Sequence, residues 1–195
     1  MFNLFKKDPD ALLKEATAKK NAGDLENAIK LLRKAYKEIG KGATIYPINT
    51  FLRLPLYLQE AKRNDEAWRE FNFLLAKGYP NQMNNPELVP MDHSIIYDKM
   101  RLFLQREGKT ELAVRFGILS YFSWAIGLYR QERKDELKTY TSRETFEETI
   151  KKLLKKAKKE NLIEKINRIV EEQIKCLPNI DLGELARRID GVISE

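Results

Sequence analysis

The fold of this chain is decided by the stretch Gly23-Asp24-Leu25-Glu26-Asn27-Ala28-Ile29-Lys30-Leu31-Leu32-Arg33-Lys34-Ala35-Tyr36. Its first two residues predict a tight turn, and the rest predict a helix because apolar side chains recur every three or four positions. We expect the helix to reach about Ile39 and to end at Gly40, since glycine commonly follows a last helical residue. The predicted buried face consists of Leu25, Ala28, Ile29, Leu32, Ala35 and Tyr36.

The residues before this stretch predict the other helix of a hairpin. Asp8 is suited to cap a helix, and Pro9 suits its first position, where the missing N–H does no harm. Apolar residues then recur up to about Asn21, and the predicted buried positions are Leu12, Leu13 and Ala16. Residues 8–39 are therefore expected to form one helical hairpin.

The quoted stretch resembles the second half of a tetratricopeptide repeat. In that family small residues stand where the helix packs close to its partner, here Ala28 and Ala35, and a larger residue stands between them, here Leu32. The resemblance implies a helical array used for binding. It also implies that the first helices of the hairpins line a concave groove that receives an extended peptide or a partner helix.

Two further copies of the hairpin can be placed along the chain. The second covers residues 51–77 with Ala67 in the small position, and the third covers residues 95–121 with Ala113 there. Ala67 follows Ala28 by 39 residues and Ala113 follows Ala67 by 46, whereas the repeat period is about 34. Insertions are therefore predicted in residues 40–46 and, with three prolines, in a loop at residues 78–92.

Proline 55 falls inside the first helix of the second copy. A proline within a helix removes a hydrogen bond and collides with the preceding turn. Either this helix is kinked at Pro55 or it starts near Leu54, and the sequence leaves both alternatives open.

The second helix of the third copy is expected to continue to about Leu137, with apolar residues nearly all round it. It needs cover from the C-terminal segment or from a second copy of the chain. Capping patterns at Thr141-x-x-Glu144 and Asp181-x-x-Glu184 predict amphipathic helices in that segment. The fold class is thus all-α: a short tetratricopeptide-like α-solenoid of about three hairpins in residues 1–140, with a helical extension in residues 141–195 packing on it.

Composition supports helices and favours acidic partners. A charged fraction of 33% with few Gly and Pro favours helices over sheets, and the net charge is +7. The single Cys176 cannot form an internal disulfide, and we expect it to be a small buried hydrophobic residue, which fits a reducing, cytoplasmic location. The apolar run at residues 116–129 is too short for a membrane span and predicts a buried helix.

The sequence offers little catalytic chemistry. Asp92 or Ser94 is expected to cap the third hairpin, which makes the only histidine, His93, an ordinary first-turn residue. No metal-binding, nucleophile or phosphate-loop motif accompanies it. We therefore predict a protein that is not an enzyme, with no catalytic residue, no metal ligand and no cofactor.

Two groups of basic residues are candidates for binding. Residues 151–159 contain six lysines, which could bind phosphates or an anionic membrane surface but are more simply a solvated helix face. Fourteen positions before the small residue of each hairpin stand Lys14, Arg53 and Lys99. The resemblance puts this column on the groove side, where it would form a basic stripe for carboxylates or phosphates.

These observations favour a noncatalytic adaptor or scaffold that binds a partner peptide or helix in a concave, partly basic groove. The long loop at residues 78–92 is expected to contribute to binding. The alternative is a nucleic-acid-binding helical protein that uses its basic surface. Self-association is a third expectation, because a second copy could cover the apolar helix.

Overall fold

Helices and the turns between them account for the part of the chain that the structure describes. The structure is a computed structural model, and it describes residues 8–82 and 86–194, in which no β-strand occurs. The predicted all-α class is confirmed. Contacts between residues divide the chain into two compact units, Met1–Asn84 and Asn85–Glu195.

The first hairpin of the Met1–Asn84 unit has the predicted bounds. Helix α1 spans Pro9–Asn21 and helix α2 spans Leu25–Ile39. The carboxylates of Asp8 and Asp24 cap them, accepting hydrogen bonds from backbone N–H groups at 3.2 and 3.3 Å. The fully buried positions at the contact between the helices are Ala16, Ala28, Leu32 and Ala35, whereas Leu25 and Tyr36 are only half-buried.

The second hairpin is irregular on the side of its first helix. Helix α3 spans Ile48–Phe51, helix α4 spans Arg53–Glu60 and helix α5 spans Asn64–Lys77. Pro55 is the third residue of α4, in a first turn where the missing N–H is tolerated. The helix therefore starts close to the expected point, and Leu52 joins α3 to α4. Ala67 and Phe71 of α5 are fully buried.

The Asn85–Glu195 unit contains the remaining helices. They are α6 Val89–Arg106, α7 Thr110–Arg130, α8 Lys134–Tyr140, α9 Arg143–Ala157, α10 Ile163–Ile174 and α11 Leu182–Ile193, with one 3₁₀ turn at Glu160–Leu162. Helix α7 is its centre, since α6, α8, α9 and α11 all contact it. Helix α7 is long and apolar enough to cross a membrane, but most of it is buried against its neighbours.

Helix α6 begins earlier than the sequence predicted. It starts at Val89, with Pro90 in its first turn, so that residues 89–92 of the expected loop are helical. Asp92 and Ser94 therefore lie inside the helix and neither caps it. The Ser94 hydroxyl instead donates to the carbonyl of Ser120 in α7 at 2.8 Å, which binds the two helices together. Residues 83–85 of the expected loop lie outside the described residues.

Three other expectations about the second unit were wrong. Helix α7 ends at Arg130 and does not continue to Leu137, because the backbone reverses at residues 131–133. Ser142 caps α9, accepting from the N–H of Thr145, while the Thr141 hydroxyl donates back to Leu137. Cys176 is exposed after the end of α10, and its thiol donates to the carbonyl of Glu172 at 3.5 Å.

The expected division into a hairpin array in residues 1–140 and a helical extension in residues 141–195 stays a prediction. Helices on both sides of it belong to the Asn85–Glu195 unit, and α9 and α11 both pack on α7.

Candidate functional site

The same backbone turn recurs along the chain, and four of its occurrences show how the candidate site arises. Gly23, Lys62, Gly108 and Glu132 all have a left-handed backbone, with φ of 80°, 63°, 74° and 56°. At each place the left-handed residue donates its N–H to the carbonyl three residues back. The following residue donates to the carbonyl five residues back, which completes a Schellman-type helix end.

The residue five positions after each of these left-handed residues is buried in the three hairpins but not at the fourth turn. These residues are Ala28, Ala67 and Ala113 in the three hairpins, and all three are buried. At the fourth turn the corresponding residue is Leu137 of α8, and it is only half-buried. Helix α8 has seven residues and none of them is buried. It therefore starts as the second helix of a hairpin would, but its apolar side lacks full cover.

A groove of about 790 Å³ lies beside this helix, and we call it the α8 groove. Its apolar lining comes from the end of α7, from α8, and from the end of α10 with the turn that follows it. It consists of Leu128, Tyr129, Leu137, Ile174 and Leu177. Leu128 is buried, Leu137, Ile174 and Leu177 are half-buried, and Tyr129 is 46% exposed. The volume is within the range of protein sites that take up ligands.

Four cations line the same groove, and they outnumber its two carboxylates, Glu87 and Glu132. The cations are Arg130, Arg133, Lys134 and Lys138. Arg130 donates to the carbonyl of Pro86 at 3.1 Å, and Arg133 pairs with Glu136. Among the described residues Lys134 and Lys138 form no ion pair within 4 Å, and both are exposed. These two ammonium groups are thus available to a bound anion.

The predicted basic stripe falls in both units. Lys14 is exposed on α1. Arg53 is half-buried, and its Nη2 donates to the Leu13 carbonyl at 2.9 Å and to the Thr17 hydroxyl at 2.6 Å. Arg53 therefore holds α4 against α1. One of its acceptors, Leu13, is the residue before Lys14. Lys99 is half-buried on α6 of the other unit, 3.9 Å from the carboxylate of Asp98. The alignment of all three as one stripe stays a prediction.

His93 is half-buried on α6 beside the ring of Tyr97, and its burial lowers the pKa of the imidazole. No cluster of three or more His, Cys, Asp or Glu residues suited to hold a metal ion occurs in residues 8–82 and 86–194.

Sequence reasoning missed the α8 groove. Its cations do show in the sequence, where Arg130, Lys134 and Lys138 recur at helical spacing, but that spacing predicts a helix and not a groove. The apolar residues of α10 lie about forty positions further on, so no local pattern joins them to α8.

Comparisons with known proteins leave the assignment to the chain's own residues. No protein-family model matches the chain, and comparisons with curated proteins and with solved structures give no match. The resemblance to tetratricopeptide repeats therefore stays a prediction.

Proposed function

We propose that this protein is a noncatalytic, cytoplasmic adaptor that binds an acidic amphipathic segment of another protein in the α8 groove. The observation that carries the proposal is the incomplete cover of α8. A helix without a buried residue borders a groove whose apolar side chains are half-exposed and whose edge is cationic.

The apolar lining suits the apolar face of a helix. Leu137, Ile174 and Leu177 present a strip that a partner can remove from water, at roughly 25 cal/mol for each Å² of apolar surface buried. Helix-in-groove recognition works in this way, with partner side chains at spacings of three and four residues as anchors.

The cations select the polar face of the partner. Lys134 and Lys138 stand four residues apart, on one side of α8, and both are free to pair with carboxylates. Complementary charge of this kind raises the association rate and disfavours partners of the wrong charge. A segment with Leu at helical spacing and Glu beside it matches both features of the groove.

A pair of designed peptides tests the proposal. One is a helix with Leu at every third and fourth position and Glu on its flanks, and the other carries Lys in place of Glu. We expect the full chain to bind the acidic peptide at least about tenfold more tightly in a fluorescence-anisotropy titration. Equal affinity for the two peptides, or binding of neither, would contradict the proposal.

Charge reversal on α8 tests whether the acidic peptide binds in the α8 groove. The variant Lys134→Glu/Lys138→Glu should weaken binding of the acidic peptide by about tenfold or more, because two attractions become repulsions. The matched control is Lys151→Glu/Lys155→Glu, another exposed pair four residues apart, on α9 and outside the groove. If the control loses as much affinity, the binding is general electrostatics and the groove is not the site.

The second proposal is that the predicted basic stripe residues, Lys14 and Arg53 of one unit and Lys99 of the other, bind acidic partners. Lys99→Glu tests it better than reversal at Arg53, because Arg53 holds α4 to α1. If the Lys99→Glu variant binds the acidic peptide with unchanged affinity, Lys99 does not contribute to binding.

One observation favours nucleic acid as the alternative partner. The Tyr129 ring is 46% exposed among the groove cations, and single strands bind by stacking bases on such rings. Binding of an oligonucleotide that falls steeply with salt, without preference for the acidic peptide, would support this alternative.

A further inference from the structure

A second concavity in the Asn85–Glu195 unit combines cations with hydroxyl groups. It is a cleft of about 300 Å³ between α6, α7 and α9, and we call it the Arg101 cleft. Its cations are Arg101, Lys152 and Lys156, and Asp98 is the one carboxylate in its lining. It is separate from the α8 groove, with which it shares no lining residue.

The guanidinium of Arg101 is held in a fixed orientation. Its Nε and Nη2 donate to one oxygen of Asp98 at 3.0 and 2.6 Å, and its Nη1 donates to the side-chain oxygen of Gln105 at 3.1 Å. Only 18% of the side chain is exposed. A guanidinium carries five N–H donors, so two remain for a ligand after these three bonds. Because the group is already ordered, little rotamer entropy is lost on binding.

Helix α9 contributes two lysines from one side. Lys152 and Lys156 are four residues apart, so both lie on the face of α9 that borders the cleft. The ammonium of Lys152 lies 2.6 Å from the carboxylate of Glu148, which is exposed. Lys156 forms no ion pair with any described residue. The neighbouring Lys151 and Lys155 are also exposed but do not line the cleft.

The cleft owes its form to a glycine and to two tyrosines. A Cβ on Gly117 of α7 would lie 2.5 Å from a methyl group of Leu153 and 3.2 Å from Cδ of Arg101. The missing side chain therefore lets both residues approach α7. The rings of Tyr121 and Tyr140 stack at 4.7 Å and form an apolar wall, beside which charge interactions are stronger than in water.

We propose that Arg101, Lys152 and Lys156 form a binding site for a phosphate monoester. A phosphate group offers three acceptor oxygens and about two negative charges, which match one oriented guanidinium and two mobile ammonium groups. Asp98 orients Arg101, and the lysines supply the remaining charge. The ester is either a small soluble metabolite or a phosphorylated side chain of a partner protein.

Calorimetric titration of the full chain tests the site. The ligands are O-phosphoserine, glucose 6-phosphate, a peptide with one phosphoserine, and serine as the unphosphorylated control. We expect the three phosphates to bind and serine not to bind. A peptide that binds at least about tenfold more tightly than phosphoserine identifies a partner protein as the source, and similar affinities identify a small ester. Heat from none of the phosphates would overturn the proposal.

Two matched variants locate the bound phosphate. Lys152→Gln/Lys156→Gln should weaken phosphate binding by at least about tenfold, as loss of charge-assisted hydrogen bonds implies. Lys151→Gln/Lys155→Gln makes the same change of charge on the same helix and should leave the affinity within about twofold. Equal losses in the two variants would show nonspecific attraction and overturn the site, and circular dichroism checks that both retain the helix content of the parent.

Discussion

The hydroxyl of Tyr36 donates a hydrogen bond to the backbone carbonyl of Thr50, 2.6 Å away, and also lies 3.3 Å from the carbonyl of Phe51. These carbonyls belong to the end of α3. The Phe51 carbonyl would ordinarily accept from the residue four positions later, but that residue is Pro55, which has no N–H. The hydroxyl of Tyr36 on α2 therefore lies within hydrogen-bonding distance of the carbonyl that the proline leaves without its usual donor, although its shorter bond is to Thr50.

We expect Tyr36→Phe to lower the free energy of unfolding by about 1–3 kcal/mol, because the carbonyls at the break between α3 and α4 lose their donor. Urea unfolding followed by circular dichroism measures the change. Tyr46→Phe is the control, since its hydroxyl bond to Asp10 lies at the surface and should contribute less. Equal effects of the two substitutions would show that the contact at Thr50 has no special role.

Lys62 adopts the left-handed backbone that Gly23 adopts in the first hairpin, with φ of 63°. A residue with a Cβ is strained there, so Lys62→Gly should stabilise the protein by about 1 kcal/mol. Lys30→Gly, at an exposed position inside α2, should instead destabilise it by about 1 kcal/mol. Thermal unfolding of the two variants gives opposite shifts if the turn geometry is correct, and a destabilised Lys62→Gly would contradict it.

Burial lowers the pKa of His93, and the nearby carboxylate of Asp92 opposes the shift. The folded protein therefore binds a proton at this site less readily than the unfolded chain does. Stability from this group is fully present above about pH 6.5 and is lost as the pH falls from there through the folded pKa. Since the chain has one histidine, an NMR titration follows the imidazole without ambiguity. A pKa of His93 at or above 6.5 would contradict the burial of its imidazole.

Asn167 of α10 is 4% exposed, and its side-chain oxygen accepts no hydrogen bond from the described residues. Burying a polar atom without a partner is unfavourable, so Asn167→Leu should leave stability unchanged or raise it by about 1 kcal/mol. At Asn27, whose side chain is exposed and donates to Asp24, the same substitution should give no gain. A loss of stability at residue 167 would reveal a partner for that amide.

Local signals predicted what local interactions determine. The bounds of α1 and α2 followed from Asp8, Gly23 and Gly40, because a cap or a turn glycine acts on its own neighbourhood. The end of α7 was missed for the complementary reason. Glu132 takes a left-handed backbone that glutamate does not favour, and the residues around it do not predict a turn.

Both candidate sites depend on contacts that lie far apart in the sequence. The α8 groove needs Leu177 beside Leu137, and the Arg101 cleft needs Lys156 beside α6. The lysines of α9 could be read from the sequence, and a solvated face remains the right description of Lys151 and Lys155. The orientation of α9 towards the cleft involves the packing of Leu153 against Gly117, a contact between distant parts of the chain that no local pattern shows.

The exposed thiol of Cys176 has a practical consequence. It is the chain's one cysteine, and it precedes Leu177 of the α8 groove in sequence. A maleimide fluorophore will therefore attach at a single position without any other residue being replaced. Because the label is attached one residue before Leu177, a change in its brightness when a peptide binds would give an optical readout of whether the groove is filled.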